Sequence, residues 1–203
     1  MQNVDIGGGV EVPVYVSGPR SHSWMAMVVL LCAAASLYLS YVFSYLYLWT
    51  TSPGWIAGEA FRPGIHWPVA TTLALLTAFA CVTFTDWATR DGRYRSLAAV
   101  AWCSAALLSS LALATEVSGH WQAGLRPGQS GYGAMVFMAS VLQAQIVAVF
   151  VIMALFTAIK LIAGRLEGRD RATLLNVGLF GKYAVAQGLV GLLLIHGFPM
   201  VAS

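Results

Sequence analysis

Five long stretches of this chain carry almost no charge, and short polar stretches separate them. No Asp, Glu, Lys or Arg occurs from Ser23 to Gly58, from Trp67 to Thr85, from Ser96 to Thr115 or from Pro127 to Ile159. A fifth apolar stretch, Leu174 to Pro199, is interrupted by Lys182 and His196. Each has room for the roughly 20 helical residues that cross a hydrocarbon layer of about 30 Å. The pattern predicts an all-α fold, an integral membrane bundle of five transmembrane helices over about 24–49, 67–87, 96–116, 132–162 and 174–199. Residues 1–22 read as an N-terminal surface segment and 23–203 as the transmembrane domain. Within the first segment, residues 10–16 predict a short strand or a strap along the membrane surface. The segment lacks the basic-then-apolar pattern of a cleaved signal, so the first span is expected to be the first insertion signal.

Composition narrows the class. Charged residues are 9% of the 203, against about 25% in an ordinary soluble domain, and hydrophobic residues are 59%. Too little polar surface exists for a water-facing exterior, and the chain is too apolar for disorder. The net charge of +3 comes from cations scattered between apolar runs, which argues against nucleic acid as a partner.

The cations are instead sorted by side. With five spans, Arg20, Arg90, Arg93, Arg95, Lys160, Arg165, Arg169 and Arg171 share one side. Arg62 and Arg126 fall on the other, and Lys182 lies inside a span. The positive-inside rule then predicts a cytoplasmic N-terminus and a periplasmic C-terminus.

Little in the sequence suggests catalysis. Cys32, Cys81 and Cys103 all fall inside predicted spans and form no CxxC pair, so they read as small buried hydrophobes. No two of His22, His66, His120 and His196 lie three or four residues apart, so no helical histidine pair for a metal is expected. There is no Gly-rich phosphate loop and no nucleophile elbow. The expectation is that this chain has no catalytic, metal or cofactor-binding residues of its own.

The polar residues within spans are few, and such residues are costly enough to be candidates for function. Lys182 is expected about two turns into the fifth span, where it either snorkels to headgroups or meets a lipid phosphate or Asp86 at the end of the second span. On the opposite side Glu116 is expected to close the third span, with His120 and Trp121 in the following loop and His196 ending the fifth span. These three ionisable residues form a candidate periplasmic-side polar cluster, structural or in contact with a partner subunit. Gln143, Gln145, Asn176 and Gln187 are candidates for interhelical hydrogen bonds. Ser36, Ser40 and Ser44, and likewise Ala101, Ala105 and Ser109, recur every four residues and predict faces of close helix approach. Trp49, Trp55, Trp67, Trp87 and Trp121 sit at span ends and predict interfacial belts.

Several stretches together bear a family likeness. Ser40-Tyr-Val-Phe-Ser-Tyr-Leu-Tyr-Leu-Trp49 resembles the first conserved helix of small cytochrome c oxidase subunit III proteins, and the preceding Val12–Trp24 resembles their lead-in. Thr115-Glu-Val-Ser-Gly-His-Trp121, Gly124-Leu-Arg-Pro127 and Tyr132-Gly-Ala-Met135 resemble the end of a middle helix, its loop and the next helix. The stretch from Leu179 to Pro199 is similar to the tail of subunit III domains fused to subunit I. The resemblance implies a five-helix bacterial form of a non-catalytic accessory subunit in a haem–copper terminal oxidase. It implies a multi-pass protein of the bacterial inner membrane, with oxidase subunits I and II and phospholipids as partners. Haem and copper would then reside in the partner catalytic subunits, and this chain would stabilise the catalytic subunit, bind lipid and support proton uptake.

The same comparison exposes departures. The membrane-buried Glu usual in the first conserved helix falls at Ala33-Ala-Ala35, with Ala34 the matching position. The fourth span usually bears His where this chain has Gln145 or its neighbours, and the last usually reads Trp-His-Tyr where this chain has Gly181-Lys-Tyr183. Lys182, Asp86, Gln145 and Tyr183 are therefore the candidate lipid-headgroup or interhelical polar contacts, with the lipid site rebuilt around Lys182. The alternatives are a subunit III-like component of a nitric oxide reductase, a small membrane transporter, or a free-standing diheme membrane reductase.

Overall fold

In the computed structural model the described residues are 3–5, 11–13, 22–52, 55, 63–89, 94–164 and 171–198. Arg20, Arg62, Arg90, Arg93, Arg165 and Arg169, which carry most of the predicted sidedness, lie outside them, as does Pro199. Five helices hold nearly all the rest: α1 (His22–Thr51), α2 (His66–Ala88), α3 (Arg95–Gln122), α4 (Gly131–Ile162) and α5 (Arg171–Leu192), the last continued by a π turn at Leu193–Gly197. All five are long and apolar enough to cross a membrane. The strand expectation holds over three residues: β1 (Asn3–Asp5) pairs antiparallel with β2 (Glu11–Pro13), Val4 opposite Val12.

Helix ends follow local chemistry rather than charge. Pro68 sits in the first turn of α2, where the backbone N–H has no intrahelical acceptor to lose. Ser130 caps α4, its hydroxyl accepting the Gly133 N–H at 3.0 Å. Helix α3 does not stop at Glu116, as expected, but runs on to Gln122. Its stop is a Schellman turn: Gly124 adopts φ 84°, the Leu125 N–H donates to the His120 carbonyl at 3.1 Å, and the Gly124 N–H donates to the Trp121 carbonyl at 3.2 Å. His120 and Trp121 are therefore helical residues, not loop residues.

Sequential helices α2, α3 and α4 pack as neighbours, and α5 returns against α2 and α4. Helix α1 lies mainly on α5, with a smaller contact to α4. The small face of α3 does what its spacing predicts, since Ala101, Ala105 and Ser109 are all buried against neighbours. Toward the end of the bundle where α2 joins α3, fully buried Trp102 and Phe150 meet edge to face at 6.2 Å. At the other end Tyr38, Tyr41, Tyr45, Trp55, Tyr132 and Val136 form a second core.

Three expectations change. Ser36, Ser40 and Ser44 face outward, and each hydroxyl donates to the carbonyl four residues earlier at 2.8–3.0 Å. Such back-bonding satisfies a hydroxyl in lipid without a second helix. Cys32 and Cys103 are also exposed rather than buried, while Cys81 is half-buried. Trp55 turns inward, 6% exposed, with its ring edge-on to Tyr45 and Tyr132. Trp49 and Trp67 are half-buried, so among these tryptophans only Trp87 and Trp121 are mainly exposed. Aromatic packing at the bundle end supplies more contact for Trp55 than a headgroup layer offers.

Candidate functional site

Two ionisable clusters occupy opposite ends of the bundle. Near the end where α2 joins α3, the Lys182 ammonium donates to Asp86 Oδ2 at 2.5 Å. Lys182 lies eleven residues into α5, three turns rather than two, because that helix begins at Arg171. The two side chains are 36% and 29% exposed, so the pair borders the surface of the bundle rather than its core. Two glycines make room beside it. A Cβ on Gly178 would stand 3.0 Å from Asp86 Oδ1, and one on Gly181 would stand 2.6 Å from Phe150 Cε2. The space that a Trp would fill at position 181 is thus taken by Phe150 from α4.

Gln145 and Tyr183 do not join that pair. Gln145 stands on α4 in a shallow cleft also lined by Ala34, Leu37 and Gln187. The Tyr183 hydroxyl is buried with no hydrogen-bond partner. The expected single set therefore divides in three: an ion pair between α2 and α5, a cleft between α1 and α4, and a buried phenol. Ala34 and Gln145, the two positions where the resemblance predicts Glu and His, border the same cleft. Neither residue is ionisable, and the other polar side chains of that cleft are Tyr38 and Gln187.

The second cluster lies at the opposite end. Glu116 and His120 are one turn apart on α3, and His196 arrives from the π turn after α5. His120 Nε2 lies 3.1 Å and His196 Nε2 lies 2.8 Å from the same oxygen, Glu116 Oε1. The imidazole rings stack, centroids 5.2 Å apart and 17° between planes. His120 is 1% exposed, and its Nδ1 has no partner. A glycine again permits the fit, because a Cβ on Gly119 would stand 2.8 Å from the ring of Trp67. The Thr71 and Thr115 hydroxyls share a hydrogen bond of 2.9 Å between α2 and α3, one residue before Glu116.

Below this cluster lies a cavity of about 40 Å³ lined in part by Thr71, Ser109, Glu116, Ser140, Gln143 and Gln187. Ser109 Oγ and Gln143 Oε1 are buried without protein partners. A few waters fit at roughly 10–15 Å³ each and would satisfy them. Gln143 also spends its amide on an interhelical bond, donating to the Ala184 carbonyl at 2.9 Å. Asn176 does the same at the far end, donating to Ser23 Oγ at 2.7 Å.

The sequence marks Glu116, His120 and His196 as a cluster but not Thr71, Ser140 or Gly119, and the i, i+4 spacing of Glu116 and His120 on one helix is missed because His120 is expected in a loop. The positive-φ signal that could have extended the helix past Glu116 was Gly124. The geometry also bears on the haem alternative. A bis-histidine haem needs two nitrogens aimed at a common iron from opposite sides of a macrocycle. His120 and His196 instead stack face to face, with both Nε2 atoms on one carboxylate.

No protein-family model matches this chain, and no curated protein sequence matches it. The five apolar helices make it a multi-pass membrane protein on their own evidence.

Proposed function

We propose that this chain is a non-catalytic accessory subunit III of a bacterial haem–copper terminal oxidase, seated in the inner membrane with its N-terminus cytoplasmic and its C-terminus periplasmic. One observation carries the reading: four of the separate stretches that resemble the family converge on a single core. Tyr41 and Tyr45 of the first stretch, Leu125 of the loop, Tyr132 of the next helix, and Leu194 and Ile195 of the tail belong to one buried cluster. The Tyr41 hydroxyl seals it by donating to the Met135 carbonyl at 3.1 Å. A resemblance spread over distant segments has more weight when those segments build one structure.

In this role the bundle docks by apolar helix faces, shields the flank of subunit I and retains lipid. Helix α1 suits the docking, because its outer face presents Leu30, Leu37, Phe43 and Tyr47 to the surroundings. With Ala34 and Gln145 in place of ionisable groups, proton support would come indirectly, through restraint of the partner.

The test is purification in mild detergent through a tag on this chain. Haem a absorbance and a large multi-span subunit in the eluate are expected. A nitric oxide reductase subunit in their place would transfer the chain to that complex, and elution of this chain alone from respiring cells would sink the reading.

A further inference from the structure

We propose that Glu116, His120 and His196 form a binding site for a divalent first-row transition-metal ion of the Zn2+ class. The proposal stands apart from the oxidase reading and rests on the geometry of the cluster. The three side chains offer ligand atoms that all lie within 4.8 Å of one another. Two of the three separations, 3.1 and 2.8 Å, are already close to the spacing of donors around a tetrahedral ion. That spacing is about 3.3 Å for bonds of ~2.0–2.1 Å. Only a small parting of the rings from Glu116 is needed to admit the ion between them.

Convergence brings both histidine nitrogens to one side of the carboxylate. Glu116 has two carboxylate oxygens, and two histidine donors could each take one. Both instead aim Nε2 at Oε1. Three ligand atoms from two helices are thereby gathered within one coordination sphere. The donor set of two imidazoles and one carboxylate suits zinc and its neighbours, and it leaves a fourth position for water. The adjoining cavity reaches Glu116 and has room for that water.

Two further observations set the site apart from a structural contact. The His120 ring is 1% exposed and stacks on His196, which holds its Nε2 beside Glu116 before any ion arrives. His196 lies in a π turn, closed by the Phe198 N–H donating to the Leu193 carbonyl five residues back. Such single turns within α-helices are frequent at functional sites. An inserted residue shifts the helix face by about 100°, and here the shifted face carries the third donor onto Glu116. Bound metal would fasten the end of α5 to α3.

The experiment is calorimetric titration of the chelator-treated, tag-free full chain with Zn2+ alone. One Zn2+ per chain is expected. His196→Gln should weaken binding at least 100-fold, beyond what loss of an outer hydrogen-bond partner of a ligand usually costs. His66→Gln, at an exposed histidine outside the cluster, should leave it unchanged. Helical content of each variant is measured alongside. The wild-type protein provides a readout independent of variants, since Co2+ in the site should give the intense visible absorption of a tetrahedral complex. Absence of saturable Zn2+ binding, or binding of equal strength in the His196→Gln variant, or a purely octahedral Co2+ spectrum would each overturn the proposal.

Discussion

The close approach of α5 to α4 can be measured as a coupling energy. Gly181 faces Phe150, and an added Cβ would lie 2.6 Å from Cε2 and 3.2 Å from Val82 Cγ2. Ordinary carbon contacts are about 3.5–4.0 Å, so the first overlap is roughly 1 Å. Phe150 is fully buried against Trp102 and cannot turn aside freely. Overpacking of this kind costs about 1–3 kcal/mol, and Gly→Ala in a helix returns about 1 kcal/mol of propensity. Gly181→Ala should therefore destabilise by ~0–2 kcal/mol. Phe150→Leu removes ring-tip contacts worth ~0.1–0.2 kcal/mol each, about 1 kcal/mol together. Little transfer term is added, because separated helices in a membrane still lie in apolar surroundings. In the double variant the new methyl enters the space left by the ring tip. It should be no less stable than Phe150→Leu alone, with a favourable coupling of ~1–2 kcal/mol. Unfolding by SDS in mixed micelles, followed by far-ultraviolet dichroism and by fluorescence near Trp102, provides the four free energies. Additivity within about 0.5 kcal/mol, or stabilisation by Gly181→Ala alone, would refute the packing argument.

Further expectations concern the two polar clusters and the orientation. Lys182→Leu leaves Asp86 without its partner and should reduce co-purifying phospholipid, measured by mass spectrometry of extracts; unchanged lipid would leave Lys182 a purely interhelical contact. Glu116→Ala removes the acceptor of both histidines and should destabilise the bundle by about 1–3 kcal/mol in the same SDS assay, the cost of stranding a buried donor. An effect below ~0.5 kcal/mol would mean that His120 finds another partner. In a background lacking the native cysteines, Gln129→Cys should react with a membrane-impermeant maleimide in spheroplasts while Tyr94→Cys should not. The reverse labelling would invert the proposed topology.

Much of this architecture was legible because a bilayer tolerates charge so poorly. Four runs without Asp, Glu, Lys or Arg and a fifth apolar stretch broken by Lys182 sufficed to number the helices, and small residues at every fourth position located the buried face of α3. Charge was a worse guide to where helices stop. Glu116 is polar enough to suggest the end of a span, yet α3 continues to the turn at Gly124, where backbone carbonyls find new donors. Spacing was equally blind to direction along α1. Ser36, Ser40 and Ser44 fit a packing stripe, but their hydroxyls bond within the helix and leave no need for a neighbour. The meeting of Glu116 with His196 spans 80 positions and depends on a π turn that no local pattern announces. For Trp55, a position between helices suggested the headgroup layer, whereas Tyr45 and Tyr132 supplied a closer aromatic surround.

The placement of α1 has a consequence for biosynthesis. It is the first of the five helices to leave the ribosome, but its principal packing partner, α5, is the last. For more than half of translation neither α4 nor α5 has been made, and α4 then offers only the smaller of the two contacts. The Ser36, Ser40 and Ser44 hydroxyls, bonded along its own backbone, wait in lipid with their donors met, whereas Tyr41 gains the Met135 carbonyl only when α4 arrives. The three middle helices can assemble as they appear, and closure then awaits the final segment. Loss of α5 would leave a nascent chain whose first helix lacks its main docking surface, a state that membrane quality control can recognise.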